Sequence, residues 1–229
     1  MTESLDVNAR NMIGQALLVF AALFPIVNPV GGAPVFLAMT EGLGDAERAQ
    51  LARRIAANAL LLVLGSIFVG THVIEFFGLS VPVIRVGGGI LVCSVAWDLL
   101  RSPDTGLPET ALRRPTPAEL AARAFYPMTL PLTVGPGSIS VAITLGAEVP
   151  RGVSAWAIRL VASAIGSILL AISIYVLFRY AERLTRAIGP TGTQVLLRLS
   201  AFILLCIGVQ IVWSGVLALL GTVPGFRGP

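Results

Sequence analysis

"FPIVNPVGGAPVFL", residues Phe24 to Leu37, lies inside an uncharged run from Asn11 to Thr40, yet it holds three prolines and two adjacent glycines. A proline has no N–H for the carbonyl four residues back, and its ring pushes that carbonyl away. Pro25, Pro29 and Pro34, beside Gly31 and Gly32, therefore predict that the helix unwinds here by a turn or more.

The surroundings make such a break expensive. Of 229 residues 55% are apolar and 12% charged, with a mean hydropathy of +0.87, whereas a soluble domain carries about 25% charged residues. Further apolar runs cover Ile55 to Ile74, Ala124 to Ala147, Leu160 to Phe178 and Leu199 to Phe226. Val81 to Leu100 adds another, with Arg85 and Asp98 near its ends. Each is about as long as the ~20 residues that cross a bilayer. The expectation is an all-α membrane protein of six transmembrane helices, with helices 1 and 4 discontinuous. In hydrocarbon, irregular backbone survives only where protein or a water-filled cavity satisfies it, so the break must face inward.

Short connections leave no room for a soluble domain, and residues 1–229 read as one polytopic membrane domain. The longest polar connection, 101–123, is read as a cytoplasmic linker loop between residues 11–100 and 124–222. The opening "MTESLDVNAR" lacks the basic leader of a cleaved signal peptide, so the first span is expected to be retained. Cys93 and Cys206 fall in apolar segments and read as small hydrophobic residues.

All sixteen basic residues are arginines. A pI near 9.8 with a net charge of only +4 is a loop bias, not a nucleic-acid footprint. Arg48, Arg53 and Arg54 follow span one; Arg101, Arg113, Arg114 and Arg123 follow span three; Arg179, Arg183 and Arg186 follow span five. The opposite side has Arg10, Arg151 and Arg227, with Arg85 and Arg159 at span edges. By the positive-inside rule the arginine-rich connections are cytoplasmic and both termini face outward, periplasmic or extracellular.

The opening fragment recurs. "FPIVNPVGGAP" has prolines at 25, 29 and 34; "YPMTLPLTVGP", from Tyr126, has them at 127, 131 and 136, with identical spacing. "RVGGGILVC" (Arg85 to Cys93) and "RLSAFILLC" (Arg198 to Cys206) also match, at a different offset. A three-span unit crosses an odd number of times, so a second copy runs in the opposite direction. Two inverted three-helix repeats are a mark of secondary transporters, which place the solute near the midplane between discontinuous helices. The simpler alternative is a pair of kinks that only shape packing.

A broken helix presents N–H groups suited to a carboxylate and carbonyls suited to an ammonium or cation, so a zwitterion fits both ends. The candidate solute-binding residues are Asn28, Pro29, Gly31 and Gly32 in the first break, and Thr133, Gly135, Pro136, Gly137 and Ser138 in the second. Thr40, Thr129 and Ser140 are the other hydroxyls nearby. Asn28 leads, because an amide beside Pro29 can bond freed backbone, contact solute, or both. Arg85 and Arg198 either snorkel to headgroups or act as gates paired with a solute carboxylate or an acid such as Asp98 or Glu75. Because no acid sits at mid-span, proton coupling is not advertised, and sodium would depend on carbonyls and hydroxyls. His72, near the end of span two, reads as a boundary residue.

No Cys/His cluster has metal-ligand spacing, and "RVGGGI" lacks the pattern of a phosphate loop. Gly87, Gly88 and Gly89, and the small residues of "ASAIGS" at 162–167, read as close-packing faces. No serine has a partner base, so an enzyme is not expected, and no cofactor is implied.

The stretches "NPVGGAPVFLAMT", "YPMTLPLTVGPGSIS" and "IRVGGGILV" together resemble the MarC family of bacterial inner-membrane proteins, over nearly the whole chain. The resemblance implies a six-span protein related to LysE-type exporters of amino acids and small solutes, acting on neutral amino acids. Carried over by position, its motif residues are Asn28, Pro29, Gly31 and Pro34, then Pro131, Gly135, Pro136 and Gly137. The expected function is alternating-access transport of a small solute across the inner membrane. Its partners would be the solute, the bilayer and a coupling ion (proton or sodium), with no nucleic acid; a homo-oligomer is compatible with the sequence. A channel-like pore and a non-transporting scaffold are the competing readings.

Overall fold

A computed structural model of the chain describes residues 2–101, 117–147 and 153–222. Among them the regular structure is entirely helical. α1 (Thr2–Val27) and α2 (Pro29–Met39) meet at Asn28 with a bend of 44°. α3 (Asp45–Phe68) starts at Gly44, whose N–H donates to Glu47 Oε2 at 2.9 Å. α4 (Gly70–Phe76) continues it beyond Val69, and α5 (Val81–Arg101) follows. α6 (Pro117–Arg123) leads into a wide, irregular segment, Ala124–Thr133, which turns through 70° into α7 (Pro136–Ala147). α8 (Val153–Arg179) and α9 (Ala181–Leu220) complete the fold.

Four helices are long and apolar enough to cross a membrane, and six spans result when each bent pair counts as one. The linker read as a loop from 101 to 123 instead ends in α6, with Glu119 in its first turn, where an acid suits the positive helix end. Residues 102–116, including Arg113 and Arg114, lie outside the described residues, as do Arg151 and Arg227. α9 also carries a break that the apolar pattern did not reveal: Gly189, at φ 76°, precedes Pro190 and sets the first two turns apart from the spanning part.

The buried side chains fall into two groups. One joins α1, α2, α3, α7 and α8 around Leu23, Phe36, Ile55, Val63 and Phe178; the Phe36 and Phe178 rings stack at 4.8 Å. Here Gly166 of α8 lets the helix lie against the Ala16 carbonyl of α1, so the small residues of 162–167 form a packing face as read.

The other group is the α5–α9 pair, with Val92, Ala96 and Leu204 at its centre and Ile26 against them. The two helices run antiparallel: Gly89 meets Val212 and Gly208, while Gly215 meets Val86 and Pro82. A Cβ on Gly89 would stand 2.9 Å from the Gly208 carbonyl, so the crossing depends on small residues, as close helix approach in membranes does. Outward, the pair shows Ile90, Val95, Phe202 and Val209 exposed, a face suited to lipid.

Candidate functional site

Asn28 sits in the left-handed region, φ 45° and ψ 57°, which Asn tolerates better than most residues. Its N–H still donates to Phe24 O (2.8 Å), closing α1, and its Oδ1 accepts from the Gly31 N–H (3.1 Å), opening α2. The helix does not unwind by the expected turn or more: Pro25, Gly31, Gly32 and Pro34 stay within helices, and the break is confined to Asn28, which ends one helix and caps the next. Pro29 provides the first turn with preset φ and no surplus donor.

The second break is built differently. Tyr126 and Leu130, each preceding a proline, are extended at ψ 124°, because a residue before proline is pushed out of the helical region. Threonine hydroxyls bond back along the wide segment: Thr129 Oγ1 donates to Ala124 O and Thr133 Oγ1 to Met128 O, both at 2.6 Å. Ser138 Oγ donates to Gly135 O at 2.9 Å. The helix restarts only at Pro136. The identically spaced prolines therefore do not play identical parts: the helix resumes at the middle proline in the first fragment and at the last in the second.

The two breaks converge on a cavity of about 270 Å³. Asn28, Gly31 and Gly32 line it from the first; Thr133, Gly135, Pro136, Gly137 and Ser138 line it from the second. Pro29 is buried and does not line it. Helix faces of α5 and α9, including Val92, Ser200 and Leu204, close the remaining wall. The lining is mostly apolar, and no charged side chain is part of it. The cavity reaches from the breaks toward Met39, Leu99, Pro127 and Leu197, the end from which the arginine-rich connections leave.

The residues read as charged gates stand elsewhere. Arg85 donates its Nε to Thr144 Oγ1 at 3.1 Å, tying α5 to α7. Asp98 is thirteen positions further along the same helix, about 20 Å away at 1.5 Å per residue. Arg85 and Asp98 therefore do not meet along this helix. Asp98 and Arg198 are exposed and do not line the cavity, and Arg198 lies toward the opposite end of the α5–α9 pair from Arg85. His72 and Glu75 are exposed at the end of span two.

Three features escaped the sequence reading. Asn58 of α3, the only amide in the run Ile55 to Ile74, reaches Thr129 Oγ1 at 3.5 Å and so supports the second break from behind. Ser200 is a cavity residue on α9, inside a run read only as a matching aliphatic segment. Arg48 Nη1 contacts Glu182 Oε2 at 2.8 Å, joining the start of α3 to the start of α9. This pair places two of the arginine-rich connections on the same side.

Comparison with known proteins agrees with the architecture. The family described as MarC family integral membrane protein matches residues 14–220. A UPF0056 membrane protein of Methanocaldococcus jannaschii is 31% identical over 87% of this chain and 95% of its own length. The UPF0056 membrane protein YhcE of Escherichia coli is 32% identical over 86% and 89%. The UPF0056 inner membrane protein MarC of Salmonella typhimurium is 29% identical over 92% and 96%. No solved structure matches the chain. With four to six apolar candidate spans, both broken fragments and a family match over residues 14–220, the chain belongs to the MarC family of integral membrane proteins.

Proposed function

We propose that the protein is a secondary transporter of small zwitterions, neutral amino acids foremost, working by alternating access between two inverted three-helix repeats in the inner membrane. The observation that carries this reading is the meeting of both breaks in one cavity. Its volume of about 270 Å³ lies just under the ~300 Å³ where ligand pockets usually begin, which suits a small solute. The absence of charged groups in the lining suits a solute whose own charges cancel.

The first turn of α7 supplies the partial positive charge for a carboxylate: Gly137 and Ser138 lie where backbone N–H groups have no partner within their own helix. Carbonyls of the wide segment, deprived of donors by Pro131 and Pro136, supply the opposite end. Support for the repeat comes from burial. Gly89, Val92 and Ala96 are buried on α5, and Ala201, Leu204 and Gly208 are buried on α9 at the same spacing. The cytoplasmic side is assigned to the arginine-rich connections, which leaves the termini outward. The scaffold reading wants the breaks packed dry, and the pore reading wants an open path; the cavity disfavours the first and the α5–α7 contact the second.

The test is counterflow in proteoliposomes with a panel of neutral amino acids, with and without sodium and pH gradients. Saturable exchange of at least one of them is expected. Flux that rises linearly with concentration, or none for any solute, overturns the proposal.

A further inference from the structure

We propose that the α5–α7 seam and the α2–α9 gap are the two gates of this transporter, and that the structure is the state in which the first is shut and the second open. The inference rests on the transport reading above. In the shut seam, three positions of α7 meet three of α5 in antiparallel order. A Cβ on Gly137 would overlap Val92, one on Gly88 would overlap Ser140, and Thr144 accepts from Arg85 at 3.1 Å. Ser140 Oγ also donates to Ile84 O at 3.0 Å.

Across the cavity, α2 presents Gly32, Val35 and Met39, and α9 presents Leu197, Ser200 and Leu204. The spacing is the same on both sides. Positions 32, 35 and 39 have the intervals of 137, 140 and 144, three residues out from the register of the prolines, and positions 197, 200 and 204 have those of 85, 88 and 92, as residues on one helix face do. The buried positions 89, 92 and 96 of α5 and 201, 204 and 208 of α9 share the offset of this second set. It is one residue out from the register that pairs Arg85 with Arg198.

The opposite state follows by exchanging the two sets. Gly32 closes onto Leu204, Val35 onto Ser200 and Met39 onto Leu197, while the α5–α7 contacts part. The gates differ in chemistry. The shut one is held by hydrogen bonds from Arg85 and Ser140, whereas the facing positions of α2 and α9 are apolar apart from Ser200.

Disulfide trapping tests this in a Cys93→Ala, Cys206→Ala background reconstituted in proteoliposomes. A disulfide needs its Cβ atoms within roughly 3.5–4.5 Å. The pair Val35→Cys with Ser200→Cys is expected to form a direct disulfide under mild oxidant, with flux lost on oxidation and restored by reductant. Adding Thr144→Val should speed trapping by weakening the other gate. A pair bridged only by a long bismaleimide spacer, or a disulfide that leaves flux unchanged, overturns the proposal. Met39→Cys with Leu197→Cys is an independent pair that decides the matter if the first is not produced. If the cysteine-free parent moves no solute, the transport reading fails, while the trapping result still decides whether the two faces close on each other.

Discussion

At Asn28 two requirements meet in one side chain: a backbone at φ 45° and a cap for the Gly31 N–H. Asn28→Ala loses both, the cap being worth ~1 kcal/mol and the left-handed conformation costing an ordinary residue about 1–2 kcal/mol. Asn28→Gly loses the cap alone. The expected order of thermal stability in detergent is wild type, then Gly, then Ala; an alanine variant that melts above the glycine variant contradicts the assigned geometry. The residue was legible in the sequence, because an Asn-Pro pair in an apolar run marks a turn with a mechanism. The part played by each proline was not. Identical spacing cannot tell which proline restarts the helix: Asn28 caps the chain at Pro29 in the first fragment, whereas the second stays irregular past the extended Tyr126 and Leu130.

Among the elements, the contact of α7 with α5 leaves no space at Gly137, where an added methyl would collide with Val92. Gly137→Ala should therefore destabilise the protein by about 1–3 kcal/mol, as overpacking does, and Val92→Ala in the same chain should recover much of the loss. A thermal melt of the two single variants and the double reads this directly; equal damage in Gly137→Ala with and without Val92→Ala argues that the helices do not meet there. The packing face read over Gly87, Gly88 and Gly89 holds for the last two only, because Gly87 is exposed. Gly88 faces α7, Gly89 faces α9, and a Cβ on Gly87 would meet nothing. A run of glycines carries no record of which neighbour each one admits. The Gly189–Pro190 break was signalled by its dipeptide, yet it sits beside a polar connection where hydropathy gives no reason to look for a span boundary.

Among the described residues the buried side chains form a larger cluster around Phe36, Ile55 and Phe178 and a smaller one in the α5–α9 pair, and the cavity is lined from both. The apolar runs were legible, and they match four unbroken helices and two bent pairs. The division into two clusters was not legible: near-uniform hydrophobicity around these helices hides which face meets protein and which meets lipid. That both breaks open on one cavity is the feature on which the functional account depends. It is tested most directly by single cysteines on opposite walls, Val35→Cys beside the first break and Leu132→Cys within the second, each in the Cys93→Ala, Cys206→Ala background. Both line the cavity. A neutral amino acid that supports counterflow should slow maleimide labelling at both positions with the same concentration dependence. Protection at only one, or at neither while transport proceeds, would mean that the two breaks do not share a solute.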